Sequence, residues 1–153
     1  MISRSHSGQR AHAVRIADLV LVQRRVPETI TALVAARRPD VVGLSIMTFQ
    51  RHTARKVVAL LRTLCPSARI VVGGYDPSMA TDIYEHPSWD VDAIVRGEGD
   101  ITFRELLRAW EAGRDPDAVA GLSYRTAGES HGKALITLIE GLPAGVKVPA
   151  ANL

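Results

Sequence analysis

Residues 39–74 constrain the fold more than any other stretch, because their pattern is that of one strand–helix–strand unit. Residues 41–46 form a short, nearly continuous apolar run, which is typical of a strand buried on both faces. From Ala54 the apolar residues recur at helical spacing until Pro66 ends the helix. Residues 70–72 form a second apolar run that ends in two glycines. A crossover of this length joins parallel strands, almost always with a right-handed turn, so the unit predicts a parallel α/β sheet.

The rest of the chain adds further elements to this unit. Strands are predicted at 14–22 and 91–95, and helices from Pro27 and over 77–85. A third helix is predicted from a capping box formed by Thr102 and Glu105, and it ends at Gly113. Residues 122–125 and 135–139 are predicted to pair as a C-terminal β-hairpin. The alternation predicts an α/β fold of three layers with a mostly parallel sheet.

Length and composition predict one domain in a cytoplasmic protein. The 153 residues contain no run near the roughly 20 apolar residues that cross a bilayer, and the N-terminus is polar and basic. The single cysteine, Cys65, excludes an internal disulfide and is predicted to be a buried, inert thiol. We expect a disordered leader at 1–12, the α/β domain at 13–126, and the hairpin with a linker-like tail at 127–153.

The charge is unevenly distributed. Residues 1–70 carry 12 Lys and Arg against 3 Asp and Glu, whereas the remainder carries 7 against 13. A basic half can attract nucleic acid or phosphate. However, no aromatic residues are interleaved with the basic ones, so we favour solvated helix faces and expect no nucleic-acid partner.

Three loops are predicted to meet at one edge of the sheet: residues 45–50, 73–78 and 96–100. In an open parallel sheet, ligands bind beyond the carboxyl ends of the strands. Two of these loops are rich in glycine, which lets a ligand approach the main chain and exposes amides that can donate to phosphate or amide oxygens. The sequence therefore predicts a binding site at this edge.

At these loops the chain resembles the cobalamin-binding domain that precedes the catalytic domain of many radical-SAM enzymes. The family pattern runs approximately PDVVGIS-x-MT, VVxGGxxPT, VDxVVRGEGE-x-T-x-x-EL and GLxYR. This chain has PDVVGLSIMTFQ, IVVGGYDPS, VDAIVRGEGDITFREL and AGLSYR in the same order, over about residues 39–126. The resemblance implies a flavodoxin-like (Rossmann-like) domain whose cofactor is cobalamin, with the nucleotide tail between strands and the corrin over the loops.

The resemblance also implies which residues form the site. Ser45, Met47 and Thr48 would line the tail or the corrin, Gly73 and Gly74 would let the tail pass close to the main chain, and residues 97–99 would border the base end of the tail. The full set of implied cofactor-binding residues is Ser45, Met47, Thr48, Phe49, Gly73, Gly74, Tyr75, Gly97, Glu98 and Gly99.

The chain departs from the family in its metal ligands. It lacks the D-x-H-x-x-G motif whose histidine ligates cobalt in other cobalamin domains, and we expect no protein ligand to cobalt from its five histidines. It also lacks a C-x-x-x-C-x-x-C cluster motif, so it cannot perform radical-SAM chemistry alone. Tyr75 and Asp76 stand where relatives often have Pro-His, which changes the expected contacts to the corrin.

The front of the domain is a second departure. Relatives begin with a strand that supplies the middle of the sheet, and no equivalent precedes residue 14. Either residues 14–22 take that place, or the sheet leaves an edge exposed and pairs with another chain, which favours a homo-oligomer.

Three functions remain open from sequence. The leading hypothesis is a cobalamin-binding module that acts with a separate radical-SAM or methyltransferase domain. The alternatives are a degenerate flavodoxin-like domain for interaction or dimerisation without a cofactor, and a flavin or nucleotide binder. Glu98, Asp100 and Asp76 can pair as acid and base in principle, but carboxylates at a helix N-terminus are explained by the helix dipole. Ser45 and Ser78 have no histidine partner by sequence.

Overall fold

The computed structural model describes residues 12–124 and 134–139. The strands are β1 (Ala13–Ala17), β2 (Val41–Ser45), β3 (Arg69–Gly73), β4 (Ala93–Val95), β5 (Leu122–Tyr124) and β6 (Ala134–Ile139). The α-helices are α1 (Val26–Arg37), α2 (Arg51–Leu64), α3 (Tyr75–Met79), α4 (Thr81–Glu85) and α5 (Gly99–Glu111). Short 3-10 helices occupy Val20–Arg25, Thr48–Gln50, Pro87–Trp89 and Pro116–Ala118. No helix in these residues has the length and apolar character needed to cross a membrane.

The strands form one sheet in the order β1-β6-β2-β3-β4-β5. Every neighbouring pair is parallel except β4 and β5, which are antiparallel. The central unit of the sequence is the β2–α2–β3 crossover, as predicted. The prediction of a mostly parallel α/β sheet is therefore confirmed.

Helices cover both faces of the sheet. On one face Ile30 of α1 and Leu61 of α2 pack in a core with Val72 of β3, and all three are almost completely buried. On the other face Leu106 of α5 packs in a second core with Val71 and its neighbours. Alternate residues of each strand enter the two cores because successive side chains point to opposite faces. The molecule is thus the predicted three-layer sandwich.

Several element boundaries differ from the sequence prediction. The first strand ends at Ala17, and Asp18 accepts a hydrogen bond from the Val20 backbone N–H at 2.9 Å, which turns the chain into a 3-10 helix. The single helix predicted over 77–85 is two short helices, α3 and α4, that meet at Ala80. Short polar side chains that bond the nearby backbone favour such turns over a continuous element.

The predicted capping box of α5 is wrong. The helix begins at Gly99, three residues before Thr102, and the side chain of its N-cap residue, Glu98, makes no capping hydrogen bond. The Thr102 hydroxyl instead donates to the Ala120 carbonyl at 3.1 Å, and Glu105 accepts from Arg108 at 2.8 Å. Leu106 and Leu107 of the helix are buried against the sheet.

The predicted C-terminal hairpin is also wrong. β5 pairs with β4 at one edge of the sheet, whereas β6 lies between β1 and β2 and runs parallel to both. The expectation that residues 14–22 supply the middle of the sheet is wrong, because β1 is the outer strand and β6 fills the position next to β2. Pairing of a sheet edge with another chain stays a prediction. Local turn signals did not predict this pairing, since it joins segments far apart in sequence.

Candidate functional site

The parallel register brings the three predicted loops to the same edge of the sheet. Ser45, the last residue of β2, lies level with Gly73, the last residue of β3. The loops that follow are joined by backbone hydrogen bonds, in which the Ile46 N–H donates to the Gly73 carbonyl at 2.8 Å and the Asp76 N–H donates to the Ile46 carbonyl at 3.0 Å. β4 ends beside β3, so the loop at 96–100 leaves from this edge as well.

The predicted site residues occupy these loops. Ser45 and Gly73 end their strands and are partly exposed. Thr48 and Phe49 belong to a 3-10 helix that begins after Met47, and Tyr75 opens α3. Gly97 and Glu98 precede α5, and Gly99 is its first residue. Met47 and Tyr75 are 41% and 57% exposed, so much of each side chain is accessible to a ligand at this edge.

Glycine is required at positions 74 and 97 for different structural reasons. Gly74 has a φ of +96°, and a Cβ there would lie 2.9 Å from both the Ile46 nitrogen and the Ser45 Oγ. Gly74 therefore permits the β2 and β3 loops to pack against each other. Gly97 has a φ of +72°, but a Cβ there would have no neighbour within 4 Å. The space beside Gly97 is open, whereas the space beside Gly74 is filled by protein.

The floor of the site is the face of the sheet that α5 covers only in part. By strand alternation, Ser45 and Gly73 lie on the same face as Val41 and Val71, which pack in the α5 core. Both residues are small and partly exposed, so this end of the face presents main chain and a single hydroxyl. The N-terminus of α5, with Gly99 against Val95, borders the floor.

Asp76 is the centre of a buried polar network beneath the loops. Only 1% of the residue is exposed. Arg51 donates from Nε to Oδ2 and from Nη2 to Oδ1, each at 2.7 Å, in a bidentate ion pair. The Tyr84 hydroxyl donates to Oδ2 at 2.5 Å, and the Thr48 side chain also hydrogen-bonds the carboxylate. Such charge-assisted bonds replace the hydration that burial removes.

This network sets the charge states of its members. The hydrogen bond from Arg51 lowers the pKa of Asp76 from 3.8 to about 2, so the carboxylate is ionised near neutral pH. Burial and the bond to Asp76 raise the pKa of Tyr84 well above its usual value. The geometry does not favour the acid–base role considered for Asp76, because its carboxylate is buried, ion-paired with Arg51 and ionised near neutral pH.

Sequence reasoning missed Arg51 and Tyr84. Arg51 is the first residue of α2 and Tyr84 lies in α4, and neither was assigned a role from sequence. The only available signal was an acidic residue close behind Gly74 in a loop with few other charges. Their pairing depends on contacts across 25 and 8 positions of sequence, which no local pattern reports.

The other singled-out side chains lie away from this network. His52 is in the first turn of α2, and His86 follows α4, where its Nδ1 lies 2.9 Å from the Ser88 Oγ. Cys65 is buried, as predicted, and its thiol donates to the Leu61 carbonyl. Within the described ranges, no three His, Cys, Asp or Glu side chains come together as a metal site.

Exposed apolar side chains are concentrated at the carboxyl edge. Seven large ones are exposed in the described part of the chain, and each lies within six residues of the end of β1, β2, β3 or β4. Phe49 and Leu21 are more than 80% exposed. The others are Val20, Met47, Tyr75, Met79 and Ile101. We call these seven residues the apolar rim. Exposed apolar residues grouped at one edge are a candidate binding surface, whereas singly scattered ones need no explanation.

Comparison with known protein families gives one match that covers most of the chain. The model of the B12 binding domain matches residues 7–107. That range contains the β2–α2–β3 unit, the three loops and all seven residues of the apolar rim. β5 and β6 lie beyond its end.

Individual relatives are longer proteins. An uncharacterized methyltransferase of Pyrococcus horikoshii is 28% identical over 142 residues, which is 93% of this chain and 30% of that protein. A cobalamin-dependent radical SAM methyltransferase of Streptomyces tokunonensis is 36% identical over 96 residues, 60% of this chain and 14% of that protein. The chain thus spans less than a third of either relative.

A much shorter match is to a different enzyme. A chorismate synthase of Desulforudis audaxviator is 72% identical over 29 residues, which is 19% of this chain and 7% of that enzyme. A short stretch of the chain is therefore more similar to a second kind of protein than the chain as a whole is to the methyltransferases.

Proposed function

We propose that this chain, which belongs to the B12-binding domain family, holds cobalamin at the carboxyl edge of its parallel sheet and presents it to a catalytic domain of the radical-SAM or methyltransferase type. The observation that carries the proposal is the apolar rim around a floor of small residues. A corrin ring is broad and flat, so it needs an apolar platform, while its nucleotide tail needs a narrow path close to the main chain.

The residues present fit the cofactor in three respects. Ser45 and Gly73 leave the floor of the site without bulky side chains. The open space beside Gly97 is available to a ligand that approaches the main chain. The N-terminus of α5, where the N-cap residue Glu98 makes no capping hydrogen bond, directs backbone N–H groups and a partial positive charge toward the same place, which suits the phosphate or amide oxygens of the tail.

The chain's own residues have defined tasks in this proposal. Ser45 offers a hydroxyl to the base of the tail, Met47, Phe49 and Tyr75 support the ring, and the N-terminus of α5 receives the tail. Bound cobalamin supplies the cobalt chemistry of methyl or electron transfer. The chain contributes binding, orientation and exclusion of water, and no residue of its own is assigned a proton-transfer step.

The catalytic partner is part of the proposal. The relatives named above are methyltransferases several times longer than this chain, and one is described as cobalamin-dependent. Members of the apolar rim that the corrin does not cover, such as Leu21 and Ile101, give a partner domain an apolar contact surface. Self-association of the chain would use the same kind of surface. Light scattering of the purified chain, with and without cobalamin, distinguishes self-association from a surface that is left for a partner domain.

The test is binding of hydroxocobalamin to the purified chain, measured by ultraviolet–visible titration and by retention of the cofactor on desalting. Ser45→Val fills the floor of the site and is expected to weaken binding about tenfold or more. The matched control is Ser67→Val, which places the same change on an exposed turn at the opposite edge of the sheet and is expected to bind like the unmodified chain.

Two outcomes contradict the proposal. One is no spectral change and no retained cobalamin at high micromolar protein. The other is equal binding by the Ser45 and Ser67 variants, which puts the cofactor elsewhere. A folded dimer without cobalamin affinity supports the alternative of an interaction module, and bound flavin fluorescence supports the flavin alternative.

A further inference from the structure

Ser78 joins two of the three loops at the carboxyl edge. Its hydroxyl donates to the Gly74 carbonyl at 2.7 Å and accepts from the Gly97 N–H at 2.9 Å. The first bond lies within the β3 loop, and the second reaches across 19 positions of sequence to the loop before α5. A single partly buried hydroxyl therefore bridges the two glycine-rich loops.

Asp76, two residues earlier, connects the β3 loop to the loop that follows β2. Its carboxylate binds Arg51 and Thr48, which lie in the loop and helix that follow β2. The segment 76–78 thus lies at the centre of the edge. One of its side chains holds the β2 loop, and another holds the β4 loop.

The hydrogen bond to Ser78 restricts a loop that has few other restraints at Gly97. Gly97 has a φ of +72° and open space on its side-chain side, so neither a side chain nor packing restricts it there. Glycine loses more conformational entropy on ordering than any other residue. If a loop becomes ordered only when the ligand binds, the lost conformational entropy weakens the affinity. If the loop is already ordered in the free protein, binding does not carry this entropy cost.

We propose that Ser78 is a positioning residue for the cofactor: it holds the main chain at Gly97 in the geometry that receives the cobalamin tail. The inference rests on the proposed function, which it deepens by assigning a residue outside the implied ligand set. Threonine keeps the hydroxyl, so Ser78→Thr preserves the bridge, whereas Ser78→Ala removes both of its bonds.

The first measurement is made without cofactor, on the amide of Gly97, by two-dimensional NMR and hydrogen exchange. In Ser78→Ala the Gly97 amide is expected to exchange about tenfold faster and to move in the spectrum, because its acceptor is gone. Ser78→Thr is expected to keep its protection. The matched control, Ser67→Ala, removes a hydroxyl at the far edge and leaves Gly97 unchanged.

The second measurement is the dissociation constant of hydroxocobalamin. Ser78→Ala is expected to raise it about tenfold while the unfolding midpoint falls by only a few degrees, and Ser78→Thr is expected to restore it. If the unmodified chain binds cobalamin and the alanine variant binds it equally well, the role of Ser78 is overturned and the proposed function stands. If the unmodified chain does not bind cobalamin, both are overturned. An unchanged Gly97 amide in the alanine variant overturns the bridge itself.

Discussion

Asp76 is a charged side chain almost completely removed from water, and four bonds from protein replace its hydration. Arg51 supplies two of them in a fork that matches the carboxylate, and Tyr84 and Thr48 supply the others. A buried charge of this kind is tolerated only while its partners are present. The network therefore makes the geometry of the β2 and β3 loops depend on one protonation state.

The pH dependence of stability follows from the pKa of Asp76. The pKa is about 2 in the folded protein, below its usual value of 3.8, so folding favours the ionised form. The contribution is complete above about pH 3.8 and is lost as the pH falls through 2. Asp76→Asn is expected to lower the free energy of unfolding at pH 7 by about 2 kcal/mol, with a smaller difference at pH 2.

Urea unfolding of both proteins between pH 7 and pH 2 measures this difference. Asp82→Asn is the matched control, since Asp82 is exposed on α4, and it should change little at any pH. A difference between the unmodified chain and Asp76→Asn that stays constant from pH 7 to pH 2 contradicts the assignment of the pKa to this network.

At the scale of elements, Arg62 joins α2 to the start of two strands at the amino edge of the sheet. Its guanidinium donates from Nη1 to the Ala68 carbonyl and from Nε to the Asp90 carbonyl, both at 2.8 Å, and from Nη2 to Asp92 Oδ2 at 2.6 Å. The same Asp92 oxygen accepts from the Ile70 N–H. The Arg62 side chain thus bonds the segment before β3 and the segment before β4. These bonds help to hold the two strands side by side.

Arg62→Met tests that connection. Methionine keeps the apolar stem but leaves the partly buried acceptors at Ala68 and Asp92 without their donor, so the free energy of unfolding is expected to fall by about 1–2 kcal/mol. Arg55→Met makes the same change on an exposed position of the same helix and is expected to cost much less. Chemical denaturation of both variants measures the difference. Equal losses would show that charge, rather than this set of bonds, sets the stability.

At the scale of the whole molecule, β6 completes the sheet from the end of the chain. β6 pairs with β1 on one side and with β2 on the other, so β1 is joined to the rest of the sheet through the backbone pairing of β6. β6 also lies outside the residues that match the B12 binding domain. The arrangement of the carboxyl edge on the β1 side, where Leu21 is exposed, depends on this strand.

Thr137→Pro tests the central place of β6. Thr137 pairs with Ile16 on one side and Gly43 on the other, and proline in a central strand removes a ladder bond and strains the pairing. The thermal midpoint is expected to fall by several degrees or more. Thr137→Val keeps the backbone N–H and a β-branched side chain, so it is the control and is expected to change the midpoint much less. An unchanged midpoint for Thr137→Pro contradicts a structural role for β6.

How much could be predicted from sequence differs between these scales. The β2–α2–β3 unit, the buried strands and the loops at the carboxyl edge follow from periodicity, and the structure has them within a few residues. The resemblance implied the site residues, and the structure places them at that edge. The start of α5, the partners of Asp76 and the pairing of β6 were not predicted. Each depends on which distant segment lies opposite.

The sequence by itself determined the local periods, the turns at glycine and the family, because side-chain alternation and backbone sterics act over a few neighbouring residues. Only the tertiary structure decided that Asp76 is neutralised by Arg51, that Ser78 bridges two loops, and that β6 rather than β5 lies beside β2. These depend on the register of strands and on burial, which are properties of the whole packed chain and leave no signature in any single stretch of it.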